Sequence, residues 1–333
     1  MILGRVAQAL PVIAGVVVIS FVLTRALPGD PAAYFAGPAA DEASIAEVRA
    51  ALGLDKSLFQ QFFIYVGDLL SGDFGTAIST GQPVAADLAA RLPASLELTL
   101  CALILSCAIA IPLGVLAATR PGTWIDHLCR VLVTAGVSMP TFFTAILLIY
   151  VFYYLLGIAP SPIGRLDFIY LSPPHVTGFY LIDAALAGDG VTFTGAAKQL
   201  ILPAATLALF TLAPIARMTR AAMLSALSAD FIRTARAAGL SRGKVLYGYA
   251  LRNALLPVLT TLGMVFSFTL GANVLVEKVF AWPGIGSYAV EALVVSDYAA
   301  VQGFVLAMAL LFVALNLIID VIYALVDPRI GLG

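Results

Sequence analysis

The residues best placed for a specific task form one basic, small-residue stretch, DFIRTARAAGLSRGKVLYGYALRNALLP at positions 230–257. Asp230 is placed to cap a helix over residues 231–238, and Gly239 stops it, as glycine does just past a helix C-terminus. Ser241 is placed to cap a second helix, which carries Val245, Leu246, Tyr249 and Leu251 into the next apolar run, with Pro257 just inside that run. The pattern is helix, glycine bend, helix, exposed on one side of a membrane. Small side chains at Ala235, Ala237, Ala238 and Gly239 admit a partner's backbone closely. Arg233, Arg236, Arg242 and Lys244 offer a positive field to an acidic partner. Such chemistry is docking and force transmission, not bond breaking. An ordinary basic loop of a multi-pass protein has a similar composition.

Catalytic patterns are missing from the sequence. No G-x-x-x-x-G-K-[ST] phosphate loop occurs, nor an H-E-x-x-H pair, nor a G-x-S-x-G turn with a credible triad. The two histidines, His127 and His175, stand far apart, and neither has ligand-type neighbours at metal-binding spacing. The three cysteines read as small apolar fillers: Cys101 and Cys107 share an apolar segment off one helical face, and Cys129 lies in a short loop.

The elements that must position the loop are membrane spans. Apolar residues make up 61% of the chain and charged residues 11%. With a mean hydropathy of +1.02, these values exclude an ordinary soluble domain. Residues 1–26 read as an uncleaved first span, because the apolar run is longer than a signal-peptide core and Arg25 stands where a cleavage site would need small residues. Residues 27–94 are mixed in polarity. They predict helices over 45–52, capped by Asp41 or Ser44 and ended by Gly53, then over 58–70, and then over 84–92, ending before Pro93. Further spans are expected at about 96–118, 131–158, 200–222, 255–276 and 301–326. Pro112 and Gly114 would loosen the first of these five. Ser138-Met139-Pro140-Thr141 would line a pore or bend the next, and Gly263 and Gly271 favour close helix contact in the fifth span of the chain. Residues 159–198 form a second extramembrane excursion. Asp320, within the last span, is expected to pair near the surface with Arg217, Arg220 or another base rather than to relay protons.

Charge sets the expected orientation. Arg5, Arg120, Arg130, Arg217, Arg220, Arg233, Arg236, Arg242, Lys244, Arg252 and Arg329 fall on one side of a six-span arrangement. The other side has more residues but only Arg25, Arg49, Lys56, Arg91, Arg165, Lys198 and Lys278, so both termini and the 230–257 loop are expected in the cytoplasm.

Four strings carry a family resemblance. Ala238-Gly239 followed downstream by Leu256-Pro257 resembles the EAA loop of type I ABC importer permeases, with Arg236 replacing the usual leading glutamate as in the peptide/nickel branch, and RTARAAGLS is close to that branch's own version. LPGDP at 27–31 with Gly81-Gln82-Pro83-Val84 is similar to that branch's periplasmic scaffold segment. Phe280-Ala281-Trp282-Pro283-Gly284-Ile285-Gly286 matches its FxWPGxG signature, and Asp327-Pro328-Arg329 closes the chain in the same way.

The resemblance implies an all-α integral membrane fold with six transmembrane helices and a small helical periplasmic segment after the first. It implies a permease core over 95–326 in a bacterial inner membrane. The ATPase-coupling residues it implies are Asp230, Phe231, Arg233, Thr234, Ala235, Arg236, Ala237, Ala238, Gly239, Leu240 and Pro257. Phe280, Trp282, Pro283, Gly284 and Gly286 would stand at a periplasmic gate or partner contact, with Trp282 as an interface anchor on the other reading. The implied partners are a second homologous permease, two ATP-binding subunits and a periplasmic substrate-binding protein. ATP and magnesium would be bound by those ATPases, and no cofactor or metal by this chain. The implied cargo is peptides, or else nickel chelates, glutathione or opines. An ion-coupled secondary transporter is the alternative from another class; it would call for internal repeats and buried ionisable residues.

Overall fold

A computed structural model describes residues 2–26, 30–37 and 39–326. Leu27, Pro28 and Gly29, the terminal Asp327-Pro328-Arg329 and the Asp320 side chain lie outside the described residues. The described regular elements are helical, apart from an isolated bridge between Thr76 and Pro83. The chain divides into two compact units, one built from residues 1–93 and 283–317 and the other from 94–282 and 318–332.

The first unit holds α1 (Ile2–Ala26), α2 (Pro31–Ala36), α3 (Glu42–Ala51), α4 (Leu58–Ser71), the first turns of α5 (Val84–Thr119), α12 (Ile285–Val294) and much of α13 (Tyr298–Val326). Its short helices start where their caps dictate. The Asp30 side chain accepts from Ala32 N–H with Pro31 at the first helical position, and it also pairs with Arg49. Asp41, not Ser44, caps α3, because its carboxylate accepts from the Ser44 N–H. Ser57 and Gln60 form a reciprocal capping box on α4, and Gly72 in the left-handed region ends it. On α1, Phe21 meets Phe62 edge-on at 5.3 Å and stacks on Tyr65, while Arg25 lies over the Phe21 and Tyr298 rings. Asp297 is fully buried, and its carboxylate accepts from Ser79 N–H and Oγ and from Ala300 N–H.

The second unit contains the rest of α5, α6 (Trp124–Val137), α7 (Thr141–Leu148) with a π-helical extension (Ile149–Leu155), α8 (Tyr180–Leu186), α9 (Gly190–Ser228) and α10 (Asp230–Ala237). It ends with a π-helical stretch (Lys244–Leu251) that runs into α11 (Arg252–Val279). Helix α9 is its centre, with α11 and α6 packed along it. Thr206, Thr211, Thr219 and Thr269 are buried, and each returns its hydroxyl to a carbonyl one turn back, so these four hydroxyls are satisfied within their own helices. Small residues set the approach. A β-carbon on Gly114 would lie 2.6 Å from Thr219 Cβ and 2.9 Å from the Ala216 carbonyl oxygen, so Gly114 makes a helix contact and not a loose point in α5. Gly263 does the same against Ile319, whereas Gly271 has no atom within 4 Å of that position.

Among the described residues, four helices are long and apolar enough to cross a membrane: Val84–Thr119, Gly190–Ser228, Lys244–Val279 and Tyr298–Ile319. Helices α6 and α7 make a fifth if read as one span, sharply bent at Ser138-Met139-Pro140. The bend follows from Pro140, which disfavours helical backbone at Met139 and has no N–H of its own to donate. The expected helix end at Pro93 does not occur, and α5 runs unbroken through it. Leu88 on one side, and Ala94 and Leu98 on the other, are each held in a buried cluster of their own unit. That packing outweighs the one hydrogen bond that Pro93 forgoes.

Candidate functional site

Helix α10 follows α9 after one extended residue, Ala229. Ala229 is the N-cap, so Asp230 is the first helical residue rather than the cap; its carboxylate lies 3.2 Å from Arg233, one turn on. A carboxylate there still complements the positive end of the helix. Ile232 and Ala235 are buried on a cluster that includes Met223, Ala226, Val245, Ala250 and Ala254, with Leu240 packed against it. Phe231, Arg233, Thr234, Arg236, Ala237, Ala238 and Gly239 remain exposed on the other face. Ala235 therefore packs inward and leaves the set of small residues open to a partner.

Gly239 has φ +73°, and the helix ends in the left-handed arrangement that this requires. Leu240 N–H donates to the Ala235 carbonyl and Gly239 N–H to that of Arg236. No atom lies within 4 Å of where a Gly239 β-carbon would sit. Glycine is needed here for its backbone angle, not for want of space within the chain. The Ser241 carbonyl then accepts from Val245 N–H, opening the next helix. Arg236, Arg242, Leu240 and Thr119 are among the residues lining a cavity of about 540 Å³ beside α10. Pro257 lies within α11 and is exposed.

The FxWPGxG stretch divides between the two units. In the second, Trp282 is buried and donates Nε1–H to the Ala94 carbonyl at 2.9 Å, which rules out an exposed interface anchor. Phe280 is also buried, and its carbonyl accepts from Gly164 N–H. Helix α11 ends like α10: Trp282 N–H donates to the Glu277 carbonyl and Ala281 N–H to that of Lys278, with Ala281 at φ +50°. An L-residue there carries about 1–2 kcal/mol of strain. Ala281→Gly is expected to raise the thermal midpoint of the purified protein, by an amount equivalent to up to about 1 kcal/mol once the entropy of glycine in the unfolded chain is subtracted. An unchanged midpoint would mean the strain is absorbed elsewhere. In the first unit, Gly284, Ile285, Gly286 and Tyr288 are buried at the start of α12, while Pro283 is exposed. Arg91 lies over the Tyr288 ring at 5.0 Å.

Several polar groups emerge that the sequence left unpaired. Glu277, 1% exposed, accepts from Ser95 Oγ at 2.5 Å and from Asn273 Nδ2 at 3.0 Å. Asp126 in α6 takes a two-pronged bond from Arg220, Nε to Oδ1 at 2.8 Å and Nη2 to Oδ2 at 2.7 Å. Arg220 is thus paired with Asp126, and it ties the loop-proximal end of α9 to α6. Glu97 and Arg165 form a buried pair at 2.6 Å.

Asp183 in the excursion is buried and accepts from Val176 N–H, Thr177 N–H and Oγ1, and Gly178 N–H. Burial pushes its carboxyl pKa up, but these donors outweigh burial and hold it below the ordinary value. The folded pKa lies below the unfolded value of about 3.9, so this stabilisation is complete above that pH and is lost as pH falls through the folded value. Amide-exchange protection at residues 176–178, corrected for intrinsic rates, should therefore be flat from about pH 7 to 5 and fall only below about pH 4. Loss of protection already near pH 6 would contradict this account.

The fold and site define a class: a helical protein with apolar helices of membrane-crossing length, an exposed basic helix and no catalytic constellation among the described residues. Residues 110–332 match the family described as the binding-protein-dependent transport system inner membrane component, and residues 1–99 match the N-terminal part of such membrane components. The chain belongs to this family and is an all-α integral membrane permease subunit of an ABC importer, not the catalytic subunit. Importers of this kind work in the inner membrane with ATPase and substrate-binding partners. The chain is 47% identical over 323 residues to the probable D,D-dipeptide transport system permease protein DdpB of Escherichia coli (strain K12), covering 97% of this chain and 94% of that protein. It is 42% identical to the di/tripeptide transport system permease protein DppB of Pseudomonas aeruginosa (strain UCBPP-PA14), over 98% and 97% of the two chains. It is 40% identical to the dipeptide transport system permease protein DppB of E. coli (strain K12), over 99% and 98%.

Proposed function

We propose that this chain carries short peptides across the inner membrane in an importer that couples ATP hydrolysis to alternating access. The observation that carries the reading is near-full-length similarity to three permeases, each named for di-, tri- or D,D-dipeptides. In this reading six spans cross the bilayer with both termini in the cytoplasm, residues 27–94 form the periplasmic scaffold, and the core extends over 95–326. The 230–257 loop meets an ATPase. The exposed face of α10, basic at Arg233 and Arg236 and small at Ala237, Ala238 and Gly239, supports that assignment. ATPase closure would push on α10 and, through the continuous chain at Ala229 and the helix from residue 242 onward, on α9 and α11. The assembly would hold a second homologous permease, two ATP-binding subunits that bind ATP and magnesium, and a periplasmic binding protein. Phe280, Trp282, Pro283, Gly284 and Gly286 would shape the periplasmic gate.

The test is uptake in proteoliposomes holding this chain and the partners encoded with it, supplied with L,L-dipeptides, D,D-dipeptides, tripeptides, glutathione and chelated nickel in parallel. Peptide uptake that requires ATP and every partner is the expected result. Preference for nickel chelate or glutathione would overturn the cargo. Uptake by this chain alone on an ion gradient would overturn the whole reading.

A further inference from the structure

The excursion before α8 carries an apolar tip that the second unit leaves uncovered. Phe168 is 88% exposed, Ile169 79% and Leu171 88%. The tip is a built turn: Asp167 Oδ1 accepts from Ile169 N–H, and the Asp167 carbonyl accepts from Tyr170 N–H. Tyr170 points the other way, its ring against Gly195 of α9, where a β-carbon would come within 3.0 Å of it. That contact fixes the height of the tip along α9.

Helix α9 supplies the ruler. Lys198 and Arg217 bracket an uncharged stretch, residues 199–216. At 1.5 Å per residue it spans about 27 Å, close to the thickness of a bilayer's hydrocarbon core. Gly195 lies three residues outside Lys198, about 4–5 Å further out and at headgroup depth. We propose that the 167–171 turn is a membrane-interface anchor, seating Phe168, Ile169 and Leu171 among the lipid headgroups and upper acyl chains on the side opposite α10. Amphipathic and aromatic side chains favour that layer. The charge pattern agrees. From residue 166 to 182 Asp167 is the single acid and no lysine or arginine occurs, so the tip offers little to steer a charged protein partner. The inference rests on α9 crossing the bilayer and is independent of the cargo.

Spin labels test it. Phe168→Cys, Ile169→Cys and Leu171→Cys are made separately in a chain carrying C101A, C107A and C129A, with exposed Asp55→Cys as the aqueous control. Each is assembled with its partner subunits in lipid nanodiscs. Collision with molecular oxygen, relative to a water-soluble chromium chelate, should be higher at all three tip sites than at position 55, on the order of threefold or more. Chelate-dominated collision at the tip would place it in water and overturn the anchor. Exclusion of both reagents would mean a protein partner covers the tip, and would equally overturn it.

Discussion

Replacing Gly239 by valine is expected to leave a chain that inserts and assembles but supports no ATP-coupled uptake. At φ +73° an L-residue costs about 1–2 kcal/mol, and a β-branched one is a worse fit still. The paired bonds from Leu240 N–H to the Ala235 carbonyl and from Gly239 N–H to that of Arg236 would be lost with that angle. The end of α10 would then redirect the chain just where it turns toward α11. Because no atom of the chain lies within 4 Å of the β-carbon position, the effect should follow backbone preference rather than size. Gly239→Asn should retain most uptake, Gly239→Ala an intermediate level and Gly239→Val almost none. Uptake and membrane levels measured for the three variants decide the matter. Normal uptake by the valine variant would sink the coupling role of residues 230–257. Equal loss in all three would point to a partner's backbone lying against Gly239.

The second large effect concerns the buried pair on the excursion. Arg165 and Glu97 are 7% and 4% exposed, and Nη2 meets Oε2 at 2.6 Å. Arg165 Nη2 also donates to the Gly178 carbonyl, its guanidinium lies 3.6 Å from the Tyr180 ring centroid, and Leu181 N–H donates to Glu97 Oε1. One pair thus joins the start of the membrane part of α5 to both the loop and α8. Arg165→Met strands a buried carboxylate and should cost about 3–5 kcal/mol. The double change Arg165→Met with Glu97→Gln removes both charges and should recover a good part of that loss, because an apolar replacement for a buried pair is often close to neutral. Thermal unfolding of the purified chain, with proteolysis of the excursion as a local readout, gives the cycle. A single Arg165→Met as mild as an exposed substitution, or a double variant no better than the single, would refute the pairing as the source of stability.

Much of this protein was written in one dimension. Hydropathy marked the long apolar helices, because an apolar run has nowhere to go but a membrane or a core. Capping chemistry offered Asp41 as one of two starts for α3, since a cap is a contact between neighbours three positions apart, and the amphipathic run placed the start of α4 at Leu58. Gly239 was legible for the same reason: the end of α10 is a matter of local backbone angle. Tertiary structure alone decided the rest. Helix α5 continues through Pro93 because packing on either side of the proline outweighs a local preference to stop. Ala235 turns inward and Ala237 outward because the cluster around Met223 and Val245 selects a face, and composition could not tell the two alanines apart. Arg220 reaches Asp126, 94 positions away, and Trp282 reaches the Ala94 carbonyl, 188 away. No periodicity encodes such partners. They exist only once helices that are distant in sequence lie side by side, and burial then makes each polar group take the partner within reach.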